Sequence, residues 1–268
     1  MKLRRLFFTF LLLLAAFQVC FSQEKPKAVL FSEFGKVCSG EFTAHLNAYI
    51  KEIANNPTMT GYLIFYGEKS LPEGKNQNYY RATQYLLRFR RFDISRIVFS
   101  RGENRETMLT QFWIVPAGAS PPIPDKSFVE HKVVSTTLFD NGFADFNRFY
   151  EHLDIYINAF VDYDNLDIYG NAFLVSGCDF SPNRNAFAKV LLANKNLDGH
   201  LIIYTKFGKG KNRAKRIANF ALKELVENFK IPPTRLKTIY GGNRGEPEIE
   251  FWLVPKDEKP PVPKPDAK

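Results

Sequence analysis

The fold is decided by the run Gly61–Tyr66, which reads Gly-Tyr-Leu-Ile-Phe-Tyr. The same pattern returns in the second half of the chain as Gly199–Tyr204, which reads Gly-His-Leu-Ile-Ile-Tyr. A tryptophan strand follows each copy, and Trp113 and Trp252 are separated by almost the same length of chain as the two runs. The matching separations indicate a tandem duplication, because self-similarity at a fixed period is the signature of a repeat. The four consecutive large apolar residues within each run predict a strand that is buried on both faces of a sheet.

The duplication predicts an α+β fold made of two units, residues 28–116 and 171–256. Each unit is expected to have the order β-α-β-α-β-β, with two helices over one face of a mixed four-stranded sheet. Residues 117–130 form a Pro-rich linker and residues 257–268 a Pro/Lys-rich tail, at matching places after the two units. A chain of 268 residues with 45% hydrophobic content is long enough for two such cores.

Residues 131–170 have no counterpart in the first unit, and we interpret them as a strand-helix connector. Residues 132–137 predict a strand, and a helix with a strongly aromatic face is expected after it. A decayed third half-repeat is one interpretation. We favour a connector packed against both units, because so large an aromatic surface does not stay exposed. The second unit is then expected to begin with a strand at Ala172–Val175 and a short helix from about residue 183 to 193.

The N-terminal segment, residues 1–22, has the layout of a signal peptide. A positive segment without acidic residues precedes an apolar core at residues 6–17, and Cys20 and Ser22 supply small side chains for cleavage before Gln23. The cations of the positive segment are Lys2, Arg4 and Arg5. The apolar core is short for a membrane span, although an uncleaved N-terminal anchor is the alternative. We therefore expect an exported protein, periplasmic or associated with the cell envelope, cleaved after Ser22 and without a transmembrane span in the mature chain.

Cleavage would leave two cysteines, Cys38 and Cys178, which precede the glycines of the two runs by nearly the same length of chain. An oxidising compartment permits a disulfide, but matching positions in two units meet only about a pseudo-twofold axis. We expect both thiols to be unbridged. No cysteine or histidine has metal-ligand spacing, so we expect neither a metal nor a cofactor. The histidines are interpreted as ordinary surface or sheet residues: His45, His131, His152 and His200.

The formal net charge of +9 favours anionic partners such as cell-wall polymers or anionic lipid. The densest cluster of cations lies in a glycine-broken loop that leads into a predicted helix: Lys206, Lys209, Lys211, Arg213, Lys215 and Arg216. Cationic side chains and the N–H groups of a helix start can bind carboxylate or phosphate. The alternative is a solvated loop whose charges only aid solubility. Four further cations are interpreted as complementing the dipole at the end of the first unit's second helix: Arg88, Arg90, Arg91 and Arg96.

Arg81-Ala82 lies in a basic helix that follows the Gly61–Tyr66 strand, within a unit of order β-α-β-α-β-β. In these features the unit resembles the OmpA-like domain of bacterial envelope proteins, a family that includes the periplasmic domain of flagellar stator proteins. The resemblance implies peptidoglycan binding, in which the arginine of an Arg-Ala pair and an aspartate after the strand hold the diaminopimelate of the peptide stem. Glu68 would replace that aspartate here, and Asn78 lies at the start of the matching helix. In the second unit Thr205-Lys206 follows the strand instead.

The sequence contains no Walker loop, Gly-x-Ser-x-Gly run, Cys-His pairing or paired-carboxylate motif, which argues against an enzyme. We therefore expect a non-catalytic exported envelope protein that binds an anionic, peptidoglycan-like component of the cell wall. The alternative is a protein-protein interaction module in an envelope assembly, and no nucleic-acid partner is expected. The candidate ligand-binding residues are Glu68, Asn78, Arg81, Lys206, Lys209, Lys211, Arg213 and Arg216.

Overall fold

The computed structural model describes residues 25–129, 132–143, 184–208 and 210–267. These residues form eight strands and five helices, and the strands make two four-stranded sheets. The expected signal peptide and the expected strand Ala172–Val175 lie outside the described residues. Within the described ranges, no helix is both long enough and apolar enough to cross a membrane.

The first unit contains four strands and three helices. In chain order they are β1 (Val29–Phe34), α1 (Ser39–Asn55), β2 (Thr60–Glu68), α2 (Glu73–Asn76), α3 (Asn78–Phe89), β3 (Ile97–Arg105) and β4 (Leu109–Val115). The strand order in the sheet is β1-β4-β2-β3. Strands β2 and β3 are parallel, whereas β4 is antiparallel to both β1 and β2.

The second unit repeats this architecture. Its elements are β5 (Thr137–Phe143), α4 (Arg184–Ala193), β6 (Leu197–Lys206), α5 (Gly210–Glu227), β7 (Leu236–Arg244) and β8 (Glu248–Pro255). The strand order is β5-β8-β6-β7, again with one parallel pair, β6 and β7. The predicted fold class, two α+β units with a mixed four-stranded sheet each, is therefore confirmed, and the first unit differs from the predicted order β-α-β-α-β-β by the additional short helix α2.

The first strand of the second sheet comes from a different segment than expected. It is β5, at residues 137–143, within the stretch that the sequence suggested was a connector. In β5, Leu138 pairs with Trp252, and a bulge separates it from the next pair; in β1, Leu30 pairs with Trp113 and a bulge follows in the same way. The additional residues of the second unit therefore follow its first strand in the chain, instead of preceding the unit.

A glycine lies near the start of each central strand because a helix packs directly on it. A Cβ atom at Gly61 would lie 2.3 Å from the hydroxyl of Tyr49, which is on α1. A Cβ atom at Gly199 would lie 2.9 Å from the ring of Phe187, which is on α4. The Tyr49 hydroxyl donates to the carbonyl of Trp113 at 2.8 Å, so it links the helix to the tryptophan strand. Contacts this close explain why the repeated run begins with glycine.

Arg96 contacts a different helix from the one that the sequence predicts. Its guanidinium donates to the backbone carbonyls at the end of α1 and the turn after it, those of Ile53, Asn56 and Met59, at 2.6, 2.8 and 3.1 Å. The expectation that it complements the dipole of the second helix, α3, is therefore wrong. Arg235 makes the matching bonds in the second unit, to the carbonyls of Leu191, Asn194 and Leu197. We call these two side chains the arginine clamps.

Cys38 is disulfide-bonded in the structure, so the expectation that it is unbridged is wrong. Its partner lies outside the described residues. The sequence has only two other cysteines, Cys20 and Cys178, and Cys20 belongs to the expected signal peptide.

Candidate functional site

Arg81 lies in the first turn of α3 and is half-buried. Its guanidinium donates to the side-chain oxygen of Asn78 at 3.2 Å. Burial lowers the pKa of Arg81 to about 10, the negative charge of Asp140 acts in the opposite direction, and the positive charge of Arg184 lowers the pKa further. Asp140 and Arg184 both belong to the second unit, so Arg81 lies where the two units meet.

Asp140 is 1% exposed and packs against the first unit. A Cβ atom at Gly74, on the short helix α2, would lie 2.5 Å from a carboxylate oxygen of Asp140. The carboxylate also accepts the backbone N–H of Asn141 at 2.8 Å. Glycine at position 74 therefore lets β5 of one unit lie directly against α2 of the other.

Arg184 and Glu224 form a buried ion pair in the second unit. The guanidinium nitrogen lies 2.8 Å from the carboxylate, and the two side chains are 2% and 8% exposed. Burial raises the pKa of Glu224, and the charge of Arg184 opposes that shift. Two cations and two acids thus come together, and we call Arg81, Asp140, Arg184 and Glu224 the inter-unit cluster.

Glu68 is engaged by its own loop. Its carboxylate accepts the hydroxyl of Ser70, and its backbone N–H and carbonyl are bonded by the buried side chain of Asn76 at 2.8 and 2.9 Å. Arg81 instead contacts Asn78 and the second unit. Two of the residues that the resemblance brought together as ligand partners, Glu68 and Arg81, therefore have separate partners in this structure.

The expected cation cluster surrounds the start of α5. Helix α5 is 18 residues long, and its first turn contains no acidic residue. Arg213 is half-buried, and Lys209 lies outside the described residues. Lys206 is 3.1 Å from the carboxylate of Glu246, with both side chains largely exposed. Four exposed cations form what we call the basic patch: Lys206, Lys211, Lys215 and Arg216.

The electrostatics of the basic patch favour an anion. A helix N-terminus carries a partial positive charge that acts within the first turn, so Lys211 is destabilising there by roughly 0.3–1 kcal/mol at low salt, whereas Lys215 and Arg216 lie in the second turn. A carboxylate or phosphate bound at the same place would offset that repulsion, and N–H groups at a helix start are suitable donors to such an anion.

A second duplicated contact holds the segments that follow each unit. Arg105 lies over the ring of Tyr66 at 3.8 Å, and Arg244 lies over the ring of Tyr204 at 3.4 Å. In the second unit the Tyr204 hydroxyl also accepts the backbone N–H of Lys264 at 3.0 Å. In the first unit the guanidinium of Arg105 contacts the linker at Asp125. The Pro-rich segments are therefore packed against the sheets.

Sequence reasoning found the basic patch and missed most of the inter-unit cluster. One signal was available for Glu224, which lies three residues after Ala221 and one before Leu225, on the buried side of α5. A charged residue at such a position needs a partner when it is buried. Asp140 and Arg184 gave no comparable signal, because Arg184 is the first residue of α4 and Asp140 lies in a strand without an apolar run.

The fold and the site define a duplicated α+β protein with a charged contact between its units and a basic patch at one helix start. Comparison of the chain with protein-family models, curated proteins and solved structures finds no match. The resemblance to OmpA-like domains consequently stays a prediction from the sequence.

Proposed function

We propose that this is a non-catalytic exported envelope protein that binds an anionic, peptidoglycan-like component of the cell wall. The observation that carries the proposal is the basic patch, in which exposed cations surround the start of an 18-residue helix without an acid in its first turn. The signal-peptide layout of residues 1–22 supports delivery to the envelope. A repeating acidic polymer fits this site, because several exposed cations bind it together although each contributes little alone.

The contacts of Arg81 argue for the basic patch as the binding surface. Arg81 is half-buried, and its positive charge interacts with Asp140 of the other unit. It is therefore less accessible to an external anion than the exposed cations of the basic patch. Binding through the basic patch should therefore survive Arg81→Ala, provided that this variant still folds. It should also weaken steadily with salt, because exposed charges are screened over about 10 Å at 0.1 M.

The test is co-sedimentation of the mature protein with purified peptidoglycan at low salt and at about 0.3 M salt. The binding variant replaces Lys211, Lys215 and Arg216 by alanine. A matched control removes the same charge from exposed lysines elsewhere, Lys36, Lys51 and Lys195. We expect wild type and control to sediment and the binding variant to remain in the supernatant. Equal sedimentation of the two variants would refute the basic patch, and no sedimentation of wild type would refute the wall ligand.

The alternative, a protein partner in an envelope assembly, is favoured by one observation. Strand β1 is at the edge of the first sheet in the part of the chain that the structure describes, and three consecutive apolar residues on it are exposed: Val29, Leu30 and Phe31 at 58%, 41% and 37%. An edge strand offers unpaired backbone groups to a strand of a partner. Substitution of Val29 by lysine should leave wall sedimentation unchanged, and it should abolish co-purification with an envelope partner if the alternative is correct.

A further inference from the structure

A cavity of about 480 Å³ lies against the second sheet, a volume typical of small-molecule sites. Leu201 and Ile203 of β6 belong to the core beneath the helices. Side chains alternate along a strand, so Asp198 and His200 of β6 face the opposite side, where the cavity lies. Its outer wall is made by residues that follow β8, including Lys256, Glu258 and Pro260.

His200 is the unusual residue of this cavity. It is more than nine-tenths buried, since only 3% of the residue is exposed. Within the described part of the chain, neither ring nitrogen has a hydrogen-bond partner. A neutral imidazole has one donor and one acceptor, and buried polar atoms in proteins are almost always paired. An imidazole that lines a cavity and lacks both partners indicates a polar ligand.

The first unit provides an internal comparison, because the two sheets share one register. Tyr62 pairs with Trp113 and Val98 in the first sheet, and His200 pairs with Trp252 and Lys237 in the second. Asp198 pairs with Val254 in the second sheet. The residue at the position of Asp198 in the first sheet is Thr60, which pairs with Val115. The second unit therefore has an acid, an imidazole and a cation where the first unit has three uncharged side chains: Thr60, Tyr62 and Val98.

The charges of the cavity are of both signs. Asp198 is 3.8 Å from Lys237, and the acid is the more buried of the two. Lys256 and Glu258 add a second cation and a second acid on the outer wall. We propose that the cavity binds a small zwitterion, an amino acid or short peptide with both an ammonium and a carboxylate group. The acids bind the ammonium group, the lysines bind the carboxylate, and His200 bonds a polar group between them.

This site is separate from the basic patch. Asp198 and His200 lie near the start of β6, whereas Lys206 is the last residue of the same strand. Loss of one site therefore leaves the other in place, and the two proposals fail or succeed independently.

The experiment is calorimetric titration of the mature protein with L-alanine and with L-alanyl-L-alanine at neutral pH. We expect at least one to bind with a Kd of about 1 mM or tighter. For the dipeptide, N-acetylation or C-terminal amidation should each weaken binding about tenfold or more, because each removes one charge-assisted contact. No heat from either ligand up to about 20 mM would overturn the proposal, and so would equal binding of the blocked dipeptides.

Matched variants introduce the residues of the first unit into the second. Lys237→Val and His200→Tyr should each weaken binding of the dipeptide about tenfold or more. Lys51→Ala, on the exposed side of α1, should leave that binding unchanged. Circular dichroism confirms that each variant is folded. Unchanged affinity in folded Lys237→Val and His200→Tyr would overturn the assignment of the cavity.

Discussion

Arg96 and Arg235 show how one side chain can stabilise a whole connection between helix and sheet. Each lies just before the third strand of its unit and bonds three carbonyls between the end of α1 or α4 and the start of the central strand. Four of those carbonyls also accept a backbone N–H of the same turn, so the guanidinium adds a second, charged donor to them. The positions of the arginines are visible in the repeat, but their partners are distant in the chain, so the sequence alone does not reveal the bonds.

Replacing Arg235 by methionine should lower the free energy of unfolding by about 2–4 kcal/mol, because several carbonyls lose a charged donor. Methionine keeps much of the apolar stem, so the loss reports the hydrogen bonds. The measurement is urea unfolding followed by circular dichroism. The control is Arg216→Met on an exposed position, which should change the stability by less than about 0.5 kcal/mol. A similar small change for both variants would contradict the clamp.

His200 should make the stability of the protein depend on pH. Burial lowers its pKa below the ordinary 6.5, the charge of Lys237 acts in the same direction, and Asp198 opposes them. A histidine with a lowered pKa contributes stability above its ordinary pKa, and that contribution is lost as the pH falls through the lower value in the folded protein. We expect the wild type to lose more stability than His200→Tyr between about pH 7 and 5.

The measurement is urea unfolding of both proteins at several pH values in that interval. The other charged side chains that line the cavity, Lys256 and Glu258, are unchanged in the variant and so cancel in the comparison. Parallel pH profiles would show that His200 does not titrate differently in the folded and unfolded chains.

Among the strands, the sequence predicts the central ones best and the edge strands least. Strands β2 and β6 are buried on both faces, so they appear as continuous apolar runs. Among the described residues, strand β5 lies at an edge and pairs only with β8, and it includes Asp140 and Asn141, which interrupt its apolar pattern. Residues 137–143 form a strand because they pair with β8, more than 100 residues later in the chain. The local pattern of apolar residues gives no information about so distant a partner.

Gly61→Ala tests the close contact between helix and central strand. The new methyl group would lie 2.3 Å from the Tyr49 hydroxyl and 2.5 Å from Ile53, so both must move. We expect a loss of about 1–3 kcal/mol, as for other overpacked cores. The control is Gly40→Ala in α1, the helix that contains Tyr49, because no atom lies within 4 Å of a Cβ atom at Gly40. That variant should gain up to about 1 kcal/mol from helix propensity, and equal effects in both would contradict the packing argument.

At the scale of the molecule, the disulfide of Cys38 adds a covalent constraint. If the signal peptide is removed, Cys178 is the one other cysteine in the chain. We therefore expect the mature, non-reduced protein to be lighter than its reduced form by two hydrogens and to contain an intrachain Cys38–Cys178 bond. Intact mass spectrometry with peptide mapping decides it. Free thiol at Cys178, or a start at Met1, would contradict this expectation.

The contact between the units can be measured through Gly74 and Asp140. Any Cβ atom at Gly74 meets the Asp140 carboxylate at about 2.5 Å, so Gly74→Ala should cost about 1–3 kcal/mol. Asp140→Ala should cost about 3–5 kcal/mol, because it removes a buried carboxylate and leaves the half-buried Arg81 and the buried Arg184 near each other without that acid. In the double variant the smaller side chain at position 140 makes room for the new methyl group. Urea unfolding of the four proteins should therefore give a combined loss smaller than the sum by at least about 1 kcal/mol. Gly74 belongs to the first unit and Asp140 to the second, so additive losses would mean that the units do not pack here in solution.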